Sequence, residues 1–185
     1  QWCGLCLVLA VVRARPGVGN EPFAGPLADD WLVGAEPIMR RMTGVYEQAG
    51  CSRLAVQNVQ PADTVNYGIV KCGPGMKGLH PITGIVEKPQ PENAPSTLGV
   101  VGRYILTPKI FEHLERVTPG EGGEIQLTDG IASLLQGARA WTDEFSGIRY
   151  YVGPKRVYTK ATVALTSHNP EGDKKLDASS VYHCS

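Results

Sequence analysis

Leu98-Gly99-Val100-Val101-Gly102-Arg103-Tyr104-Ile105-Leu106 reads as a β-strand, and it runs straight into Thr107-Pro108, a helix cap followed by a first-turn proline. Ile110, Phe111 and Leu114 then recur at helical spacing and predict a helix over 108–117. A strand that passes directly into an amphipathic helix is the building unit of a layered α/β domain.

The alternation extends outward on both sides. Upstream, Leu54 and Val56 alternate with more polar neighbours, and strands are predicted over 67–72 and 82–88. The turn-prone Pro61-Ala62-Asp63, the glycine-rich stretch 73–78 and the proline-rich loop 89–96 separate them. Ile38, Met39, Met42, Val45 and Tyr46 predict a helix over 36–48, with Pro37 suited to its first turn. Phe23 to Leu32 reads as one buried strand running into Asp29-Asp30, interrupted awkwardly by Gly25-Pro26. Downstream, Ile125, Leu127, Ile131 and Leu134 predict a helix over 124–135, followed by strands over 138–145 and 148–152 and a helix over 158–167. One domain over 1–168 is expected, with 169–185 a disordered tail.

Composition narrows the class. Eighteen basic residues balance eighteen acidic ones across 185 residues with no run of either sign, so neither a nucleic-acid tract nor a polybasic membrane patch is indicated. The apolar opening 3–12 is too short to span a bilayer and reads as a buried helix or strand. A chain opening on Gln1 rather than Met fits truncation. Five scattered cysteines argue against a disulfide framework and for a reducing compartment, hence the cytoplasm. Cys3 and Cys6 have the spacing of half a zinc site, but no second pair follows. The histidines at 80, 113, 168 and 183 form no triad or metal pattern.

Chemistry concentrates where the strand 82–88 ends. Gly84-Ile85-Val86-Glu87-Lys88-Pro89 places an acid, a base and a chain-turning proline where the strand leaves the sheet, which is where ligands collect in α/β folds. A carboxylate can accept from two sugar hydroxyls while the adjacent ammonium pairs with a phosphate. Alone, an adjacent Glu-Lys is more often a solvated pair.

Its surroundings reverse that weighting. Asn66-Tyr67-Gly68-Ile69-Val70, Gly84 to Pro89, Ala94-Pro95-Ser96, Val101 to Leu106 and Gly123-Glu124-Ile125-Gln126-Leu127-Thr128-Asp129 occur in order, and this stretch resembles the bacterial UTP–glucose-1-phosphate uridylyltransferases. Weaker similarity runs upstream through Gly19 to Ala24 and Leu27 to Asp30, and downstream through Tyr150 and Ala161-Thr162-Val163. The resemblance implies a Rossmann-like, three-layer nucleotide-diphospho-sugar transferase fold with a mixed sheet, its N-terminal βα units missing. It implies that Lys88 is the catalytic contact to the sugar phosphate, that Glu87 holds glucose hydroxyls, that Gly68 offers backbone beside the sugar and that Asp29 ligates Mg2+. Glucose-1-phosphate and UTP are the implied substrates, nucleic acid and membrane are not partners, and a homo-oligomer is compatible with it.

The same comparison exposes departures. No glycine-rich triphosphate loop precedes Gln1, and the family's Gly-Leu-Gly-His-Ala-Val falls on Cys6-Leu7-Val8-Leu9-Ala10-Val11. The family's Tyr-Asp-Cys-Gly, whose Asp is the second magnesium ligand, falls on Tyr150-Tyr151-Val152-Gly153. Two readings stand: an uridylyltransferase whose chain here is inactive alone, and a non-catalytic sugar-phosphate-binding or assembly module. Glu124 and Asp129 are expected to cap a helix rather than touch substrate.

Overall fold

The computed structural model describes residues 6–118 and 125–151. The expected helix over 158–167, the tail 169–185 and Glu124 lie outside them. The chain divides into two units, one of residues 1–27 and 34–146, the other of residues 28–33 and 147–185.

The first unit is built on a six-stranded sheet. Strands β1 (Phe23–Pro26), β3 (Ser52–Asn58), β4 (Gly68–Cys72), β5 (Ile82–Glu87), β6 (Leu98–Leu106) and β7 (Ala140–Glu144) form it, with β2 (Asp30–Val33) and β8 (Ile148–Tyr151) left to the second unit. The strand order is β5-β4-β6-β3-β7, with β1 also against β6. β3 runs parallel to β7, and the other pairs are antiparallel. The sheet is therefore mixed, as expected.

Strand β6 organises it. Gly102 lacks a Cβ, which opens the left-handed region to it, and it adopts φ 64. At the same place the pairing with β3 slips, from Leu54 opposite Tyr104 to Val56 opposite Val100. This bulge lets the first part of β6 meet β4 at Gly99 and the last part meet β1 from Arg103 to Leu106. Arg103 Nη1 donates to Leu27 O at 2.8 Å, and Leu27 N donates to Gly102 O at 2.8 Å. The Val101 to Leu106 motif thus builds the fold.

Helices α1 (Cys6–Val18), α3 (Lys109–Arg116) and α4 (Leu127–Leu134) share one core with the sheet. Val8, Ile110, Phe111, Leu114, Leu127, Ile131 and Leu134 pack with Leu54, Val56, Val70, Val100 and Tyr104. Helix α2 (Ile38–Ala49) contacts β3 and β6, and its buried Met42 lies outside that cluster, so it covers the face carrying Arg53 and Ala55. The result is three layers, helices on both faces of the sheet.

Two expectations need correction. Residues 23–32 are not one buried strand: β1 pairs with β6, while β2 pairs with β8 in a separate two-stranded sheet. Pro26 lacks an N–H and ends the first ladder, and Ala28-Asp29 turn the chain away. The exposure of β1 also alternates, so it is half-buried. Thr107 does not cap α3 through its hydroxyl, since α3 has no side-chain cap and Thr107 Oγ1 lies 3.4 Å from Ser52 Oγ instead. Its carbonyl accepts from Ile110 N.

On the α2 face Arg53 and Asp143, 1% and 0% exposed, form an ion pair with Nε donating to Oδ2 at 2.7 Å. Arg53 Nη2 also donates to Thr142 O at 3.2 Å. Arg41 of α2 brings a second guanidinium, its Nε 3.9 Å from Asp143 Oδ1. Cys51 and Cys72 are free thiols, and burial pushes the Cys72 thiol up from its ordinary value.

Candidate sugar-phosphate site

Strand pairing brings the motif residues together. In the β4–β5 ladder Gly68 stands directly opposite Glu87. The ladder continues one step further, because Lys88 N donates to Tyr67 O at 2.9 Å. Lys88 itself turns out of the strand with φ 43, a left-handed backbone that a side chain makes unfavourable by about 1 kcal/mol. The next residue, Pro89, is fixed by Thr64, whose Oγ1 lies 2.9 Å from Pro61 O and 3.2 Å from Pro89 O. The Ala94-Pro95-Ser96 motif secures the far end of the loop. Ser96 Oγ donates to Val70 O at 2.6 Å and accepts from Leu98 N at 3.0 Å.

The resulting end of β5 presents two charges in different settings. Lys88 is 58% exposed and Glu87 27% exposed along their side chains, and Lys88 Nζ lies 3.8 Å from Glu87 Oε1. That separation is beyond hydrogen-bond range. The two groups are close enough to act on one ligand, and neither is consumed by the other. Lys88 keeps its three donors for an anion, and Glu87 keeps lone pairs for hydroxyl donors.

Gly68 is required by space. A Cβ there would lie 2.8 Å from Thr128 Cγ2, 3.3 Å from Glu87 Oε2 and 3.6 Å from Ile85 Cδ1. Carbon atoms rest at about 3.5–4.0 Å, so no side chain fits without displacing a neighbour. Thr128 was not singled out by its sequence surroundings. It sits at the second position of α4, whose start is locked by a capping box between Gln126 and Asp129. Gln126 N donates to Asp129 Oδ2 at 3.3 Å. Asp129 therefore caps the helix, as its position suggested.

Asp29 lies in the turn before β2, in the second unit, partly exposed. Among the described residues its carboxylate has no hydrogen bond or ion pair. Asp30 beside it is committed to Arg149, whose Nε donates to Asp30 Oδ1 at 2.6 Å. Across the β2–β8 ladder Asp30 faces Tyr151, the position without a carboxylate. Among the described residues no three His, Cys, Asp or Glu side chains gather as a metal site. One free carboxylate suits a magnesium ion held mainly by substrate phosphates and water, and does not suit one held by the protein alone.

A model of the nucleotidyl transferase family matches residues 7–164. The chain belongs to the nucleotidyl transferase family. Among its relatives, the UTP–glucose-1-phosphate uridylyltransferase of Streptococcus pyogenes is 42% identical over 172 residues, which is 90% of this chain and 57% of that protein. The chain therefore spans little more than half the length of the curated relatives it matches. Two solved structures are similar over most of it. A UDP-glucose pyrophosphorylase complexed with UDP-glucose superposes with a TM-score of 0.83 at 36% identity, covering 88% of this chain and 62% of that one. A UTP-bound UGPase from Acinetobacter baumannii gives 0.84 at 32% identity, covering 97% of this chain and 63% of that one. The nucleotidyl transferase assignment agrees with the mixed sheet and with the order of the motifs. No helix among the described residues is long and apolar enough to cross a membrane.

Proposed function

We propose that this chain carries the glucose-1-phosphate-binding part of a UTP–glucose-1-phosphate uridylyltransferase. The observation that carries the reading is the β4–β5 end, where Gly68 faces Glu87 in register and Lys88 follows in a left-handed turn. In this reading Glu87 accepts hydrogen bonds from glucose hydroxyls, Gly68 offers its backbone beside the sugar, and Lys88 holds the phosphate. In the proposed reaction the phosphate oxygen of glucose-1-phosphate attacks the α-phosphorus of UTP, the new P–O bond forms and pyrophosphate leaves. No covalent enzyme intermediate is needed, so the protein's part is to position the nucleophile and neutralise charge. Lys88 does this as a fixed point charge. Magnesium, when bound, supplies Lewis-acid stabilisation of phosphate charge, with Asp29 as the ligand proposed from this chain.

Titration calorimetry with glucose-1-phosphate tests the reading. The chain is expected to bind, and Lys88→Ala to weaken binding about 10- to 100-fold, the range of a charge-assisted contact. Absence of binding by the unsubstituted chain would sink the proposal. The non-catalytic reading is favoured specifically by Tyr151 standing where a carboxylate is expected. The two readings part in a chimera that carries the family's N-terminal segment together with Tyr151→Asp: pyrophosphate release on adding UTP and magnesium supports the uridylyltransferase, and glucose-1-phosphate binding without release supports the non-catalytic module.

A further inference from the structure

We propose that Thr128 is a further sugar-contacting residue of this site. The inference rests on the glucose-1-phosphate reading and extends it to a residue on a different element. Thr128 is 8% exposed, and its Oγ1 is buried with no hydrogen-bond partner among the described residues. Buried hydroxyls are nearly always paired, so an orphan beside a candidate site calls for a partner that arrives from outside.

Its place in the fold says which partner. Thr128 Cγ2 and Glu87 Oε2 lie 2.8 and 3.3 Å from one point, the position a Cβ would take on Gly68. Helix α4 and the paired ends of β4 and β5 therefore close around the space above Gly68. Thr128 supplies one wall and the sugar-binding carboxylate another. The methyl group now faces Gly68, and both substituents hang from the same Cβ. A single χ1 step carries Oγ1 into the place held by Cγ2, next to Glu87 and whatever Glu87 binds. Side chains rest in three staggered χ1 wells, and the step is one rotation of about 120° between two of them. The capping box holds the backbone of α4 still while the side chain turns.

The chemical class of the partner follows from the neighbours. A hydroxyl next to a carboxylate acceptor suits a polyhydroxyl ligand, whose own hydroxyls can donate to Glu87 and exchange a hydrogen bond with Thr128. It adds nothing for a bare anion, which Lys88 alone addresses. Thr128 thus serves selection of the sugar, and Lys88 serves retention of the phosphate.

The test is calorimetry on the chain with glucose-1-phosphate and, separately, inorganic phosphate, alongside thermal unfolding. Thr128→Val keeps the shape and removes the hydroxyl. It is expected to weaken glucose-1-phosphate about tenfold, to leave phosphate binding unchanged, and to hold or raise Tm because the unpaired polar group is gone. Thr128→Ser keeps the hydroxyl and is expected to stay within about threefold of the unsubstituted chain. If the unsubstituted chain binds glucose-1-phosphate and Thr128→Val binds it equally well, the inference is overturned while the site reading stands. Equal losses for glucose-1-phosphate and phosphate, or losses that follow a fall in Tm in both variants, assign Thr128 a packing role and overturn it too. If the unsubstituted chain binds no glucose-1-phosphate, both fall together.

Discussion

Gly68→Ala is expected to lose glucose-1-phosphate binding and to lower the unfolding temperature at the same time. The added methyl would overlap Thr128 Cγ2, 2.8 Å away, by roughly an ångström relative to ordinary carbon contact. Neither side can give way easily. Gly68 lies on β4, between β5 and β6, and Thr128 rides on a helix anchored by the buried Leu127, Ile131 and Leu134. Overpacking of this kind destabilises by about 1–3 kcal/mol, which for a chain of this length is a fall of roughly 3–9 °C. The methyl would also sit 3.3 Å from Glu87 Oε2, crowding the carboxylate proposed to hold the glucose hydroxyls. Gly84→Ala, also on this ladder, is the control. Its Cβ would come no nearer than 3.7 Å to Lys71 Cβ, so binding and Tm should be unchanged. Parallel calorimetry and thermal melts decide the matter, and a Gly68→Ala chain that binds normally would remove glycine from the site.

The largest loss of stability is expected from Asp143→Ala. The substitution leaves Arg53, 1% exposed, without its counter-charge and leaves Arg41 3.9 Å from an empty position. Removing one partner of a buried pair typically destabilises by about 3–5 kcal/mol, because the remaining charge is stranded in a poorly solvating interior. Since a domain is stable by only about 5–15 kcal/mol in all, much of the chain would unfold in mild urea. The pair as a whole is worth far less than either half. The double variant Arg53→Met with Asp143→Leu should recover most of the loss, as measured by urea midpoints in a double-mutant cycle. A double variant as unstable as the sum of its singles would show that the strands need the ions themselves.

These two residues mark what the sequence could and could not disclose. Leu98 to Leu106 was readable to the residue, because an apolar strand stopped by Thr107-Pro108 leaves little choice of register. The place of Glu87 and Lys88 at a strand end was readable, but their weight as a proposed site came from the motifs around them, and Gly68 entered only through its motif. The reason for Gly68 was hidden, since Thr128 approaches it only after α4 docks. Thr128 itself looks ordinary in a helical stretch; nothing in a string of letters says that a hydroxyl will be buried without a partner. Arg53 and Asp143 are ninety positions apart and meet only because β3 and β7 run side by side. The break between β1 and β2 was half visible in Gly25-Pro26, but apolar continuity outweighed it. What decided the matter was pairing with two different partners, β6 and β8.

The left-handed backbone at Lys88 has a bearing on engineering. Glycine would occupy φ 43 without strain, so Lys88→Gly relieves the backbone even as it removes the charge. A campaign that selected variants for heat resistance alone would favour that exchange and would erase the proposed phosphate contact unnoticed. Here durability and ligand retention pull on one residue in opposite directions, and libraries built on this scaffold should hold position 88 fixed.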